Sequence, residues 1–198
     1  RNGAEEETDT ASRRTPAERM AEIGIVQEGD EVLYQPARPF TLPDEAEDAR
    51  RVIAQLGAVI ERAEQVHTFA KGIGLAAPQV GISRAAAVVR EPDGSFITLL
   101  NPRVVGHGSE EDEQYEGCLS FFDVRGMVSR PRCIEVEHQE VDGTLRITEF
   151  TDATARLVGH EIDHLEGRLY RARMRPGVEP IPVSQYKGTG EPWRSANA

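Results

Sequence analysis

Hydrophobic and polar positions change their period twice along this chain. The first 20 residues are polar and acidic, with few large apolar side chains, and read as a flexible tail. Val32-Leu33-Tyr34 is a short apolar patch, followed by a Pro-containing loop to Pro43. Val52, Leu56, Val59, Ala63 and Val66 then recur at alternating steps of four and three. That spacing is one apolar helix face and predicts a helix from Asp44 to about Ala70. Thr41 or Asp44 is placed to cap it, and Gly72 to end it.

The middle of the chain switches to strand patterning. Ala86 to Val89 and Phe96 to Leu100 read as strands joined by a turn at Pro92-Asp93-Gly94. From Cys133 to Gln139, Ile134 and Val136 alternate with Glu135 and Glu137. Asp142-Gly143 marks a hairpin, and Leu145 to Phe150 is the returning strand. A second helix is expected from Thr151-Asp152 to about Gly167. The pattern describes one α+β domain over residues 21–175, its antiparallel sheets packed around a central helix that carries His160-Glu161-Ile162-Asp163-His164. Residues 176–198 read as an irregular tail.

Composition narrows the partners. A net charge of −11 argues against nucleic acid and anionic membranes. No apolar run approaches the roughly 18–20 residues of a membrane span. The opening residues form no secretory signal, and two cysteines are too few for a disulfide framework. The expected setting is the reducing cytoplasm.

The second helix carries the chemistry. His160 and His164 are one turn apart, so both imidazoles project from one face, and Glu161 follows the first. This is the H-E-x-x-H arrangement: two ligands for one divalent metal and a carboxylate beside the site. Two chance histidines on a surface helix are the plainer explanation, but the chain has only five His. An open catalytic site wants a third protein ligand. Glu166 is too close on the same helix, and Glu179 and Glu191 fall in the tail. Upstream, Cys118 within Glu116-Gly117-Cys118-Leu119-Ser120 is the best candidate. Cys133 reads as a buried apolar cysteine, and His67, His107 and His138 as surface histidines. Asp163 either orients the ligand helix or pairs with a surface Arg. Gly72-Ile73-Gly74-Leu75-Ala76-Ala77-Pro78-Gln79 lacks the marks of a phosphate loop. Its small residues predict backbone passing close to a ligand, with Gln79 pointing in.

Together, GIGLAAPQ (72–79), EGCLS (116–120) and HEIDHLEG (160–167) resemble the three signature segments of the peptide deformylases, in that family's order. The resemblance spans roughly Ile25 to Met174. It implies a hydrolase that removes the N-formyl group from the initiator methionine of nascent polypeptides. Carried onto the matching positions, it implies Cys118, His160 and His164 as metal ligands and Glu161 as general base and acid. Gln79 and the Leu119 backbone N–H would stabilise the oxyanion. Ile73, Gly74, Glu116, Gly117 and Arg125 would contact substrate, with Ile73, Glu116 and His160 bordering the methionine pocket. The implied metal is Fe²⁺, with Zn²⁺, Ni²⁺ or Co²⁺ also able to occupy the site. The implied partners are formyl-Met peptides, with transient ribosome contact.

Phe121-Phe122 and Gly159 depart from the residues frequent in the family, and bear on the rim of the site. The segment after Met174 shows no helical pattern, so no ribosome-docking helix is expected. Two alternatives of different kinds stay open: a paralogue acting on another formylated amide, and a non-catalytic metal-binding protein. Retention of Glu161 and Gln79 speaks against the second. A general zinc endopeptidase is disfavoured by the Cys ligand.

Overall fold

The computed structural model describes residues 14–187. Two sheets enclose one central helix. The chain opens with helix α1, Pro16–Glu22. Thr15 caps it by accepting a hydrogen bond from the Glu18 N–H, and Pro16 starts it. The expected tail over residues 1–20 therefore gives way to structure before its end. The reason is Met20, a lone large apolar residue that the core takes up completely. Residues 1–13 lie outside the described residues. A short 3₁₀ turn follows at Glu31–Tyr34, burying Leu33 and leaving Tyr34 exposed.

Helix α2 is Ala46–Val66. Val52, Leu56, Val59 and Ala63 form its buried face as the spacing predicts, joined by Ala49 and Ile60. Val66 is exposed instead, because the helix stops there and His67 turns to extended backbone. Neither Thr41 nor Asp44 caps the start. Glu45 holds that position, and its carboxylate accepts from the Thr41 N–H at 2.8 Å.

Five antiparallel strands form the larger sheet, in the order β1, β2, β3, β6, β7. They are β1 Ile73–Ala76, β2 Ala86–Arg90, β3 Phe96–His107, β6 Cys133–Gln139 and β7 Leu145–Thr151. Strand β3 runs past the predicted Leu100, with a register shift between Leu100 and Arg103. Asn101 takes a left-handed backbone there. Its amide offsets the strain by bonding both the N–H and the carbonyl of Phe40, each at 2.8 Å. The predicted hairpin closes at Gly143, whose φ is +89°.

The smaller sheet has the order β4 Glu111–Glu116, β5 Val124–Pro131, β8 Ile181–Pro182. Strand β8 and the short helix α4, Val183–Lys187, replace the irregular tail expected from residue 176. Ile181 pairs with Arg125, and the Val183 N–H donates to the Asp123 carbonyl. Residues 188–198 lie outside the described residues.

Helix α3, Asp152–Leu165, is the centre of the molecule. Ala155, Val158, Ile162 and Leu165 pack on Ala87, Val89, Leu99, Ile134, Val136 and Phe150 of the larger sheet. Its other faces are buried too, carrying Arg156, His160, Glu161, Asp163 and His164. Gly167, at φ +78°, ends it as predicted. Among the described residues no helix is long and apolar enough to cross a membrane.

Candidate active site

Three elements converge on α3. Strand β4 ends at Glu116 and delivers Gly117 and Cys118; β1 brings Ile73 and Gly74; the 3₁₀ turn Ala77–Val80 brings Gln79. Cys118 Sγ lies 3.3 Å from His164 Nε2, which lies 3.2 Å from His160 Nε2. All three side chains are buried, and their ligand atoms lie within 4.8 Å of one another. Metal–nitrogen and metal–sulfur bonds of about 2.0–2.3 Å at tetrahedral angles separate donors by about 3.3–3.6 Å. The observed spacings and the thiol–imidazole donor set therefore fit one divalent ion.

A layer of charge orients these side chains. His160 Nδ1 is 2.9 Å from Glu116 Oε1, which turns Nε2 toward Cys118 and His164. Glu116 is wholly buried. Arg130 Nε donates to its Oε2 at 2.5 Å and Nη2 to its Oε1 at 2.9 Å, and Arg156 Nη1 donates to Oε2 at 2.6 Å. Burial raises the Glu116 carboxyl, but the Arg130 charge outweighs it and holds the group well below the usual carboxylate range. Asp163 is buried as well, with Arg130 Nη1 at 2.9 Å and Arg173 Nε at 2.6 Å. Asp163 thus pairs with a surface arginine, Arg173, and also with a buried one, Arg130. Burial lowers the His160 imidazole, but bonds to Cys118 and Glu116 hold it well above the ordinary value. His164 is pushed well below by burial and by His160.

Glu161 differs from the other buried carboxylates. Its Oε2 has no hydrogen-bond partner among the described residues. Burial pushes its carboxyl up to about 7, against the opposing charges of His160 and Arg130. Gln79 is held rigidly: Oε1 accepts from the Ala76 N–H at 3.0 Å, while Nε2 donates to Ser120 Oγ at 3.2 Å and sits 3.6 Å from Cys118 Sγ.

One cleft of about 350 Å³ is lined by Ile73, Gly74, Gln79, Glu116, Gly117 and Cys118, and by Leu119, Arg125, His160 and Glu161. His164 lies behind this lining. Arg125 is buried, donates to the carbonyls of Phe122 and Val124, and stacks on the Phe122 ring. Gly117 makes room for it, since a Cβ there would meet Arg125 Nε at 2.8 Å. Phe122 reaches the rim, but Phe121 turns away to pack on Tyr170. His67 is no simple surface histidine: it lines the rim, edge-on to Phe69 and Phe122. His138 is likewise buried, 2.8 Å from Thr148 Oγ1. Cys133 is half-buried rather than core, and burial and Glu149 push its thiol up.

Several residues at the site carry no clear sequence signal. Arg130 and Arg173 come from β5 and from the 3₁₀ turn Tyr170–Arg173, and nothing in their spacing ties them to α3. Val183 and Tyr186 line the cleft from the segment expected to be irregular. Arg156 had a legible hint, four residues before His160 on the same helical face.

A profile of the family described as polypeptide deformylase matches residues 23–179. The chain is 34% identical over 163 residues to peptide deformylase 2 of Clostridium perfringens, covering 82% of this chain and 99% of that protein. Among solved structures, it is similar to peptide deformylase from Thermotoga maritima, with a TM-score of 0.65 at 33% identity, over 77% of this chain and 97% of that one. It is also similar to the class I type b peptide deformylase of Acinetobacter baumannii with Met-Ala-Ser bound, with a TM-score of 0.62 at 31% identity, over 76% of this chain and 96% of that one. With a thiol–imidazole cluster, an adjoining carboxylate and relatives matched over nearly their whole length, the chain belongs to the peptide deformylase family.

Proposed function

We propose that this protein is a metal-dependent hydrolase that removes the N-formyl group from the methionine of nascent polypeptides. One observation carries the reading: the buried carboxylate of Glu161, whose Oε2 has no hydrogen-bond partner among the described residues, lines one cleft together with Cys118 and His160 of the Cys118–His160–His164 cluster. The Acinetobacter baumannii relative was solved with Met-Ala-Ser bound, which supports a short peptide as the ligand.

Cys118, His160 and His164 would hold the ion, with Fe²⁺ proposed in the cell and Zn²⁺, Ni²⁺ or Co²⁺ as substitutes. When bound, a divalent ion lowers the pKa of water toward about 7 and polarises a carbonyl. The remaining work falls to the protein's own groups. Glu161 takes a proton from the attacking water at Oε2. The water oxygen adds to the formyl carbon, and negative charge builds on the carbonyl oxygen. The Gln79 amide and the Leu119 N–H donate to that oxygen; each such donor is worth about 100-fold or more in rate. The carbon–nitrogen bond then breaks, Glu161 returns its proton to the departing amine, and formate leaves. Ile73, Gly74 and Gly117 bring backbone to the peptide, Glu116 borders the pocket while orienting His160, and Arg125 faces the substrate.

Val183 and Tyr186 also line the cleft, which supports a catalytic unit that runs past residue 175. The proposed setting is the cytoplasm, with transient ribosome contact. The test is an assay on protein purified without oxygen, with its metal content measured alongside. Formyl-Met-Ala-Ser should release one formate per peptide, while acetyl-Met-Ala-Ser stays intact because its extra methyl has no room. A preference for formyl-amines lacking methionine would overturn this reading.

A further inference from the structure

Arg156 is 5% exposed, and its side chain crosses from α3 to the β4–β5 hairpin. Nη1 donates to Glu116 Oε2 at 2.6 Å and to the Val128 carbonyl at 2.9 Å, and Nη2 donates to the Asp112 carbonyl at 2.5 Å. On one side of this bar lies the cleft, walled here by Ile73, Glu116, Leu157 and His160. On the other lies a separate depression of about 390 Å³, lined by Asp112, Gln114, Arg132, Asp152 and Ala153. The two hollows share one wall, Ala70 and Lys71. Ala153 sits three residues before Arg156, one turn along the same helical face. Arg156 lines only the first hollow and Asp112 only the second, so the bond between them lies on the boundary.

We propose that Arg156 is a specificity-determining residue that fixes the length of substrate side chain the cleft accepts, by closing it off from the neighbouring depression. The proposal rests on the reading that the cleft receives the first side chain of a formylated peptide. A guanidinium tied to three acceptors, one of them a buried carboxylate, does not swing aside as a flexible apolar side chain does. An unbranched side chain that reaches it would have to break those bonds without replacing them. The small Ala153 leaves the space beyond open, so the bar and not the helix sets the limit.

The experiment measures kcat/KM for formyl-X-Ala-Ser, where X is norleucine, methionine or 2-aminodecanoic acid with its eight-carbon side chain. The wild type should favour methionine over the longest residue by about tenfold or more. Arg156→Ala should raise the long-to-methionine ratio by about tenfold, and Arg156→Met by less, since an unbranched stem remains. The ratio cancels any loss through Glu116 and His160, which both substrates share. Melting curves identify which variants are folded, and either folded variant decides the matter. An unchanged ratio in a folded variant would overturn the proposal. So would a wild type that takes the eight-carbon side chain as readily as methionine. Failure of the wild type on every formyl peptide would instead overturn the deformylase reading beneath it.

Discussion

A buried carboxylate oxygen without a partner costs about 1–3 kcal/mol, and proteins rarely keep one. Among the described residues Glu161 Oε2 is such an atom, within a site where Glu116 and Asp163 are fully paired. A free acceptor is what proton transfer needs. Glu161→Ala should therefore keep its metal, because Cys118, His160 and His164 remain, and lose about 100-fold or more in kcat/KM. Metal analysis and a formate-release assay on one preparation would check both halves; near-normal turnover removes the proposed role. The cysteines make the second comparison at this scale. Cys118→Ala should lose bound metal, whereas Cys133→Ala should not, since Cys133 opens β6 beside Glu149. Equal metal content in the two variants would count against Cys118 as ligand. At this scale much was legible: the three donors carry ligand chemistry and two of them sit at helical spacing. Arg130 and Arg173 were not, because an arginine is an ordinary surface residue until the fold surrounds it with carboxylates.

Elements act on the site through their backbones. Strand β1 passes so close to α3 that a Cβ at Gly74 would meet Glu161 Oε1 at 2.7 Å and Cγ at 2.8 Å. Gly74→Ala should displace the Glu161 carboxylate and cut turnover by roughly 100-fold, the scale of an ångström-sized misplacement. Its melting temperature should change little, because the pairing of Gly74 with Val89 uses only backbone. A variant with full activity would show that Glu161 does not depend on this approach. Periodicity read α2 and α3 well, since each buries one regular face in the core. It missed β4, whose Glu111-Asp112-Glu113-Gln114-Tyr115-Glu116 has no apolar alternation and becomes a strand by pairing with β5. It missed β8 for the same reason: two residues take strand form only because the β5 edge is there.

The whole molecule holds its proposed metal ligands inside a structure that other forces build. Separate apolar clusters surround α2, α3 and the Leu33–Tyr170 region. The ion pairs of Glu116 and Asp163 tie β4, β5, α3 and the Tyr170–Arg173 turn together. Chelation should therefore lower the melting temperature without unfolding the protein, and added Zn²⁺ should restore it. An ion at 100 times its Kd contributes about 2.7 kcal/mol. Calorimetry across a metal series would check this; a melting temperature indifferent to metal would argue against the Cys118–His160–His164 site.

The sequence by itself determined the helix that carries His160, Glu161 and His164, the hairpin at Asp142-Gly143, and the α+β class. Those follow from local spacing and turn chemistry, which neighbouring residues dictate. It also drew Cys118 and Gln79 toward that helix, as a third ligand candidate and an inward amide, and their resemblance to known segments implied their roles. Only the tertiary structure decided what surrounds them. That Arg130 and Arg156 share Glu116, that Val183 and Tyr186 wall the cleft, and that Arg156 stands between two hollows all depend on contacts between distant parts of the chain. Long-range pairing leaves no period in a sequence. The HEIDH segment thus marked the helix on which the proposed chemistry sits, and the folded chain decided how much space stands beside it.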